Sequence, residues 1–326
     1  MSTARLRVTV IVVWEPAWTF ITVENRMTKA GQPATRRVVA FQGEPGAFSE
    51  EALRARFEGR APIRPLPQRS LEAMAAAVEG GEADLGLLPI ENSIAGTVLQ
   101  AYDVLDSSGL HAVGETFHRI HHMLLGAPGA DVAGLRQVRS HPVALAQCSR
   151  WLSSHPGVEA VAIYDTAGAA RQVAEGDDRS VAAIAARGAA GRYGLDVLVE
   201  DLQDRPDNVT RFYFLSKSPE PLPTASEGGS KSVITFEVAH RPGALVEVLN
   251  RFARHGVNLT KLESRPLPEP WTYRFFLEAE SDDEDTVVDE ALEAAASATR
   301  SLRLIGRVPI HARRSAAGGG DRGGRA

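Results

Sequence analysis

The stretch "DNVTRFYFLS" (207–216) sets a hydroxyl beside a permanent charge, Thr210 and Arg211, in a run otherwise rich in β-branched and aromatic residues. A guanidinium in such company needs an anion and hydrogen bonds to offset its desolvation. The residues alone leave two partners open: a carboxylate of the protein, Asp207 or Glu91, or a carboxylate of a ligand. The planar fork of arginine holds a carboxylate bidentately, as lysine does not. The threonine hydroxyl beside it can donate one hydrogen bond to a nearby oxygen. Phe212 reads as a packing element for this pair. Successive strand residues point to opposite faces, so both side chains reach one ligand only if regular pairing begins near Phe212.

Other segments put polar groups at turns. "GEPGAFS" (43–49) has two glycines that let backbone approach a ligand, and its N–H groups precede a helix, a site suited to a carboxylate. Its candidate ligand residues are Gly46, Ala47, Phe48 and Ser49; a plain turn with Ser49 as the helix cap is the alternative. "ENSIAGT" (91–97) offers Asn92, Ser93 and Thr97 as neutral hydrogen-bonders, while Glu91 would repel an anion and reads as a structural partner. Thr166 in "YDTAGAA" stands before a run of small residues, as a helix cap or as a ligand contact. His118 and His122 have a spacing that could hold a metal on a helix, but their surroundings read as strand, and no metal site is expected. Cys148 sits in an apolar helical segment, where a thiol is expected to be buried and inert.

The elements that must position these groups alternate. "VVAF" (38–41) reads as a strand before a helix through Leu53 and Phe57. "SLEAMAAAVEGG" is a helix capped by Ser70 and stopped by Gly80 and Gly81. "ADLGLLPI" is a buried strand, and a helix through Val98, Tyr102 and Leu105 follows the next loop. Continued alternation predicts an α/β fold with a mostly parallel sheet and ligands at the loops beyond the strand ends. "SKSPEPLPTASEGGS" (216–230) reads as a linker, and βαββαβ order beyond it is ferredoxin-like. The tail, 313–326, has the composition of a disordered segment.

With 326 residues and 44% apolar content, the chain is long enough for two domains with sizeable cores. A formal net charge of −5 leaves no basic surplus for nucleic acid or an anionic membrane. One cysteine excludes a disulfide framework within the chain and fits a reducing cytoplasm. The apolar runs "VTVIVVW" and "WTFITV" are divided by Glu15 and Pro16 and fall short of the roughly 20 residues that span a bilayer. Residues 1–35 read as an extension, of which 1–26 precede a second candidate start at Met27.

Taken in order, "GEPGAFSEEA", "LPIENSIAGTV", "SHPVALAQC" and "DNVTRFYFLS" resemble the prephenate dehydratase domain, and "RPGALVEVLNRFARHGVNLTKLESRP" resembles the ACT domain that follows it. The resemblance covers residues 36–312. It implies a cofactor-free lyase of phenylalanine biosynthesis that converts prephenate to phenylpyruvate. It further implies a two-lobed catalytic domain similar to periplasmic binding proteins over 36–216, with lobe 1 at 36–115 plus 197–216 and lobe 2 at 116–196. A linker over 217–230 and an ACT domain over 231–312 complete it. The family's TRF motif maps to Thr210, Arg211 and Phe212 in the cleft, which shifts the reading of Arg211 towards a substrate carboxylate.

In the ACT domain the resemblance implies a phenylalanine site between paired subunits. It would be built from Gly243, Ala244, Leu245 and Val246, from Glu263, Ser264, Arg265 and Pro266, and from Asn258 and Leu259 between them. Feedback inhibition by phenylalanine and a homodimer or homotetramer are the corresponding expectations. Ala47 departs from a common bacterial form that has threonine there and matches the plant arogenate dehydratases, which leaves prephenate and arogenate both open as substrates. A non-catalytic carboxylate sensor is the competing reading, and Thr210 beside Arg211 argues against it.

Overall fold

The computed structural model describes residues 36–223, 229–281 and 285–310, together with the backbone of 8–12 and 19–23. It divides into a unit of residues 1–36 and a unit of residues 37–326. In the first, β1 (Val8–Val12) and β2 (Thr19–Val23) pair as an antiparallel hairpin. The expectations for a start at Met27 and for a disordered tail fall outside the described residues.

In the second unit the chain opens with β3 (Arg37–Gln42), α1 (Phe48–Phe57), β4 (Ile63–Gln68), α2 (Leu71–Glu79) and β5 (Leu85–Asn92). A short β6 (Gly96–Thr97), α3 (Leu99–Ser107) and β7 (His111–Arg119) follow. Ser70 caps α2 as its sequence predicts, its hydroxyl accepting from the Ala73 amide at 3.1 Å. The chain then crosses into a second lobe. There it forms β8 (Met123–Gly126), β9 (Gln137–Ser140), α4 (Pro142–Gln147), α5 (Ser149–Ser154), β10 (Glu159–Ala162), α6 (Thr166–Gly176), β11 (Val181–Ala185), α7 (Arg187–Tyr193) and β12 (Asp196–Val199). It returns as β13 (Val209–Ser216), which inserts between β5 and β7.

The lobe boundaries differ from those expected. Strand β7 stays in the first sheet through Arg119, and β12 pairs with β8 in the second rather than returning to the first. By strand direction each sheet is mostly parallel, as expected, with one main strand reversed. In the first, β4, β3, β5 and β7 run the same way and β13 lies antiparallel to both its neighbours; in the second, β10, β9, β11 and β12 run the same way and β8 is reversed between β11 and β12. The segment expected as one helix around Cys148 breaks there into α4 and α5, and the cysteine is fully buried between them.

The C-terminal domain comprises β14 (Ser230–Glu237), α8 (Ala244–Arg254), β15 (Asn258–Pro266), β16 (Tyr273–Ser281), α9 (Asp285–Ala296) and β17 (Ser301–Pro309). Its antiparallel order β15-β16-β14-β17 is the ferredoxin-like arrangement. One face of this sheet carries α8 and α9 over a core of Ile234, Phe236, Val248, Phe252 and Leu277. The other face joins lobe 1: Val233, Phe276, Ile305 and Val308 share a core with Tyr102, Leu105 and Tyr213. The start of the expected linker is also ordered, since the Leu222 amide donates to Val113 O at 2.7 Å and its side chain is buried.

Candidate functional site

Alternation along β13 sorts the TRF residues onto two faces. Phe212 and Phe214 pack into the core beneath α1, with Val39, Phe41 and Leu53, and Thr210 lies on that same side. Arg211 and Tyr213 point the other way, towards the C-terminal domain. Regular pairing already includes Thr210 and Arg211, opposite Asn92 and Glu91, and the irregularity in the β5 register comes only after Arg211. The expected late start of the strand is therefore corrected, and with it the expectation that both side chains face one ligand.

Arg211 is held by the protein. Its Nη1 donates to Glu278 Oε2 at 2.7 Å and its Nη2 to Glu278 Oε1 at 2.6 Å, and Glu91 lies 3.3 Å away. Asp207 is not its partner; that carboxylate pairs with Arg205 at 2.6 Å. In this structure the anions that Arg211 meets are the Glu278 carboxylate on β16 and, second, Glu91. Burial by itself would push the Glu278 carboxyl up, but Arg211, Lys231 and the Tyr213 hydroxyl outweigh it and hold the group below the usual carboxylate range.

Thr210 belongs to a network that joins the lobes. Asn92 Nδ2 donates to Thr210 Oγ1 at 3.0 Å and to Asn208 Oδ1 at 2.7 Å. Asn208 Nδ2 donates to Gln147 Oε1 at 2.8 Å, and the same oxygen accepts from His122 Nε2 at 2.8 Å. The Phe48 ring meets the His122 imidazole edge-on at 5.2 Å. Burial holds His122 below the usual histidine range, against the Gln147 hydrogen bond, and its buried Nδ1 has no partner among the described residues. Within this network the Thr210 oxygen accepts a hydrogen bond, while its own proton has no acceptor among the described residues.

The remaining candidates divide. Asn92 Oδ1 accepts from the Ile94 and Ala95 amides at 3.0 and 2.8 Å, so its side chain shapes the loop as well as holding Thr210. Ser93 ties two loops together, its hydroxyl donating to Asp207 O at 2.8 Å and accepting from the Val209 amide at 2.9 Å. Thr97 is not in the cleft: its hydroxyl donates to Glu263 Oε2 of the C-terminal domain at 3.1 Å. Thr166 does not cap its helix, and its hydroxyl has no hydrogen-bond partner among the described residues; the cap is Asp165, which accepts from the Gly168 amide at 2.9 Å.

Ser49 also does not cap α1, which begins one residue earlier behind Ala47. Instead Glu50 reaches back, its Oε2 accepting from the Gly46 amide at 2.8 Å, and so takes one of the N–H groups expected to face a ligand. The Phe48 and Ser49 amides start the helix and have no intrahelical acceptor. Gly46, at φ +88, lies so close to lobe 2 that a Cβ there would stand 2.8 Å from Ala189 Cα. Glu51 completes this junction, accepting from the Gly188 amide at 2.7 Å and lying 3.3 Å from His118 Nε2.

Gln147, Asn208 and His122 were not singled out as site residues, although the first two lie within the motifs "SHPVALAQC" and "DNVTRFYFLS". In the C-terminal domain, Gly243, Ala244, Leu245 and Val246 line a cavity of about 200 Å³ with Trp271, Tyr273, Phe275, Arg241 and Arg300. Asn258, Leu259, Ser264 and Pro266 are not part of it. Glu263 bonds Thr97, and Arg265 pairs with Asp103 at 2.9 Å, so the two halves of the expected effector site do not meet within one chain.

Residues 39–220 match the family model described as prephenate dehydratase, and residues 232–297 match the ACT domain. The chloroplastic arogenate dehydratase/prephenate dehydratase 2 of Arabidopsis thaliana is 36% identical over 296 residues, which span 88% of this chain and 76% of the relative. A bifunctional N-acyl-homoserine lactone acylase/prephenate dehydratase of Komagataeibacter europaeus is 37% identical over 274 residues, 84% of this chain and 96% of that protein. Among solved structures, the prephenate dehydratase of Arthrobacter aurescens in complex with L-Phe has a TM-score of 0.75 at 33% identity, covering 84% of this chain and 90% of that one.

Proposed function

Because this chain belongs to the prephenate dehydratase family and carries an ACT domain behind its catalytic lobes, we propose that the cleft between the lobes turns prephenate into phenylpyruvate. The ring carboxylate leaves as CO₂, its bonding pair enters the ring, and the hydroxyl departs with a proton as water. Aromatisation drives the step, so the site must position the substrate and stabilise the departing oxygen. The observation that carries this reading is Thr210, whose oxygen is fixed by Asn92 and whose proton is free to point at that oxygen. The Asn208–Gln147–His122 chain orients Asn92 and spans the lobes, so closing them sets the hydroxyl. The start of α1, with the Phe48 and Ser49 amides and the Ser49 hydroxyl, takes a substrate carboxylate in place of Arg211.

The aromatic cavity beside Gly243–Val246 is the feedback site for phenylalanine, with Trp271, Tyr273 and Phe275 for the ring. A homo-oligomer supports the second half of that site: β15 is an edge strand, and Val246, Leu262, Trp271 and Tyr273 are exposed apolar side chains of this domain. The lone buried cysteine agrees with a reducing cytoplasm, and no helix among the described residues is long and apolar enough to cross a membrane.

The relatives' names and Ala47 favour testing arogenate beside prephenate. The decisive experiment measures phenylpyruvate from prephenate and phenylalanine from arogenate, each with added L-phenylalanine. Turnover of one or both is expected; turnover of neither, with phenylalanine still binding, would leave a sensor.

A further inference from the structure

Arg211 sits beside Thr210 in sequence yet is anchored in another domain, and the anchor is unusually complete. Both oxygens of Glu278 are engaged by Arg211, and the Tyr213 hydroxyl donates to Oε1 at 2.6 Å. Lys231 Nζ stands 3.7 Å from the same carboxylate and 3.1 Å from Glu115. Arg211, Glu278, Lys231 and Glu115, together with Glu91 and Lys261, border a cavity of about 330 Å³ between lobe 1 and the ACT sheet. A buried pair of this kind adds little net stability, but removing one partner strands the other charge, so it enforces one arrangement of the two domains.

Strand β16 shows what that arrangement is tied to. Its alternate side chains face lobe 1: Arg274 pairs with Asp106, Phe276 meets the Tyr102 ring at 4.9 Å, and Glu278 holds Arg211. The intervening Tyr273 and Phe275 line the aromatic cavity at the start of α8. One strand therefore forms a wall of the effector cavity and also carries the anchor of the residue next to Thr210.

We infer that Arg211 is a positioning residue that acts through Glu278: a ligand in the aromatic cavity shifts β16, and the Glu278–Arg211 pair passes the shift to the Thr210 hydroxyl. The inference rests on the proposed roles of Thr210 and of the phenylalanine cavity. Coupling of this kind needs two sites that bias one shared element, and β16 with its ion pair is that element.

The test uses the purified full chain, with Glu278→Gln, Arg211→Lys and Arg303→Gln. Deuterium exchange at amides 209–212 is followed with and without L-phenylalanine, alongside steady-state rates. Phenylalanine is expected to change exchange there in the unaltered chain and not in Glu278→Gln. The same variant should lose kcat about tenfold with KM little changed, and need about tenfold more phenylalanine for half-inhibition. Arg211→Lys, which keeps the charge, should fall between the two. Arg303→Gln breaks an interdomain hydrogen bond carried by β17 rather than β16, from Arg303 Nη2 to Leu105 O at 2.6 Å, and should leave the inhibition curve within about twofold.

A folded Glu278→Gln variant inhibited at the unaltered concentration, or unchanged exchange in the unaltered chain, would overturn the inference. Failure of the unaltered chain to turn over either substrate would instead overturn the catalytic reading, and the exchange comparison would still decide the coupling.

Discussion

Thr210 presents the hydroxyl on which the proposed chemistry rests, its oxygen held by Asn92. Thr210→Val keeps the β-branched shape and is expected to lower kcat by about 10²–10³ with little change in KM, as steady-state rates on prephenate would show. A variant retaining most of its rate would remove the hydroxyl from the chemistry. Cys148 gives the opposite expectation: burial pushes its thiol up to about 12, so a thiol reagent at pH 8 should label it only after unfolding. Rapid labelling of the native chain would contradict its place between α4 and α5.

Among the elements, the entrance to α1 is the most constrained. Gly46→Ala demands a left-handed alanine at φ +88 and pushes a methyl against the α7 backbone. The strain is about 1–3 kcal/mol. It should lower the thermal midpoint and raise KM more than it lowers kcat, because it wedges the lobes apart; an unchanged midpoint would refute the contact. Local patterns were legible in the sequence: the Ser70 cap, the strands around Val38–Phe41 and 85–90, and the βαββαβ order. What escaped it depends on partners far along the chain. The rule of alternation said that Thr210 and Arg211 must separate, but only the approach of Glu278, 67 residues later, decides which of them faces the other domain. The α1 cap was misread for a local reason, since a glutamate inside the helix can fold back and serve in place of the serine ahead of it.

On the scale of the molecule, the buried pair links stability to pH. Glu278 titrates below its ordinary 4.5 in the folded chain, so the unfolded chain takes up the proton first as pH falls. Its contribution is present above about pH 4.5 and disappears as pH drops through the lower folded value. Urea unfolding between pH 6 and 3 should therefore lose stability more steeply in the unaltered chain than in Glu278→Gln; equal slopes would deny the pair its charge. The position of β13 carries a consequence for synthesis. It lies between β5 and β7, yet it is made only after the whole of lobe 2, and until then both neighbours expose unpaired edges. Lobe 2 is therefore expected to fold first as the chain emerges, while lobe 1 waits for its middle strand. The strand that closes the sheet is the one that bears Thr210, so a chain cut short before residue 209 is expected to have neither a finished lobe 1 nor the site proposed for it.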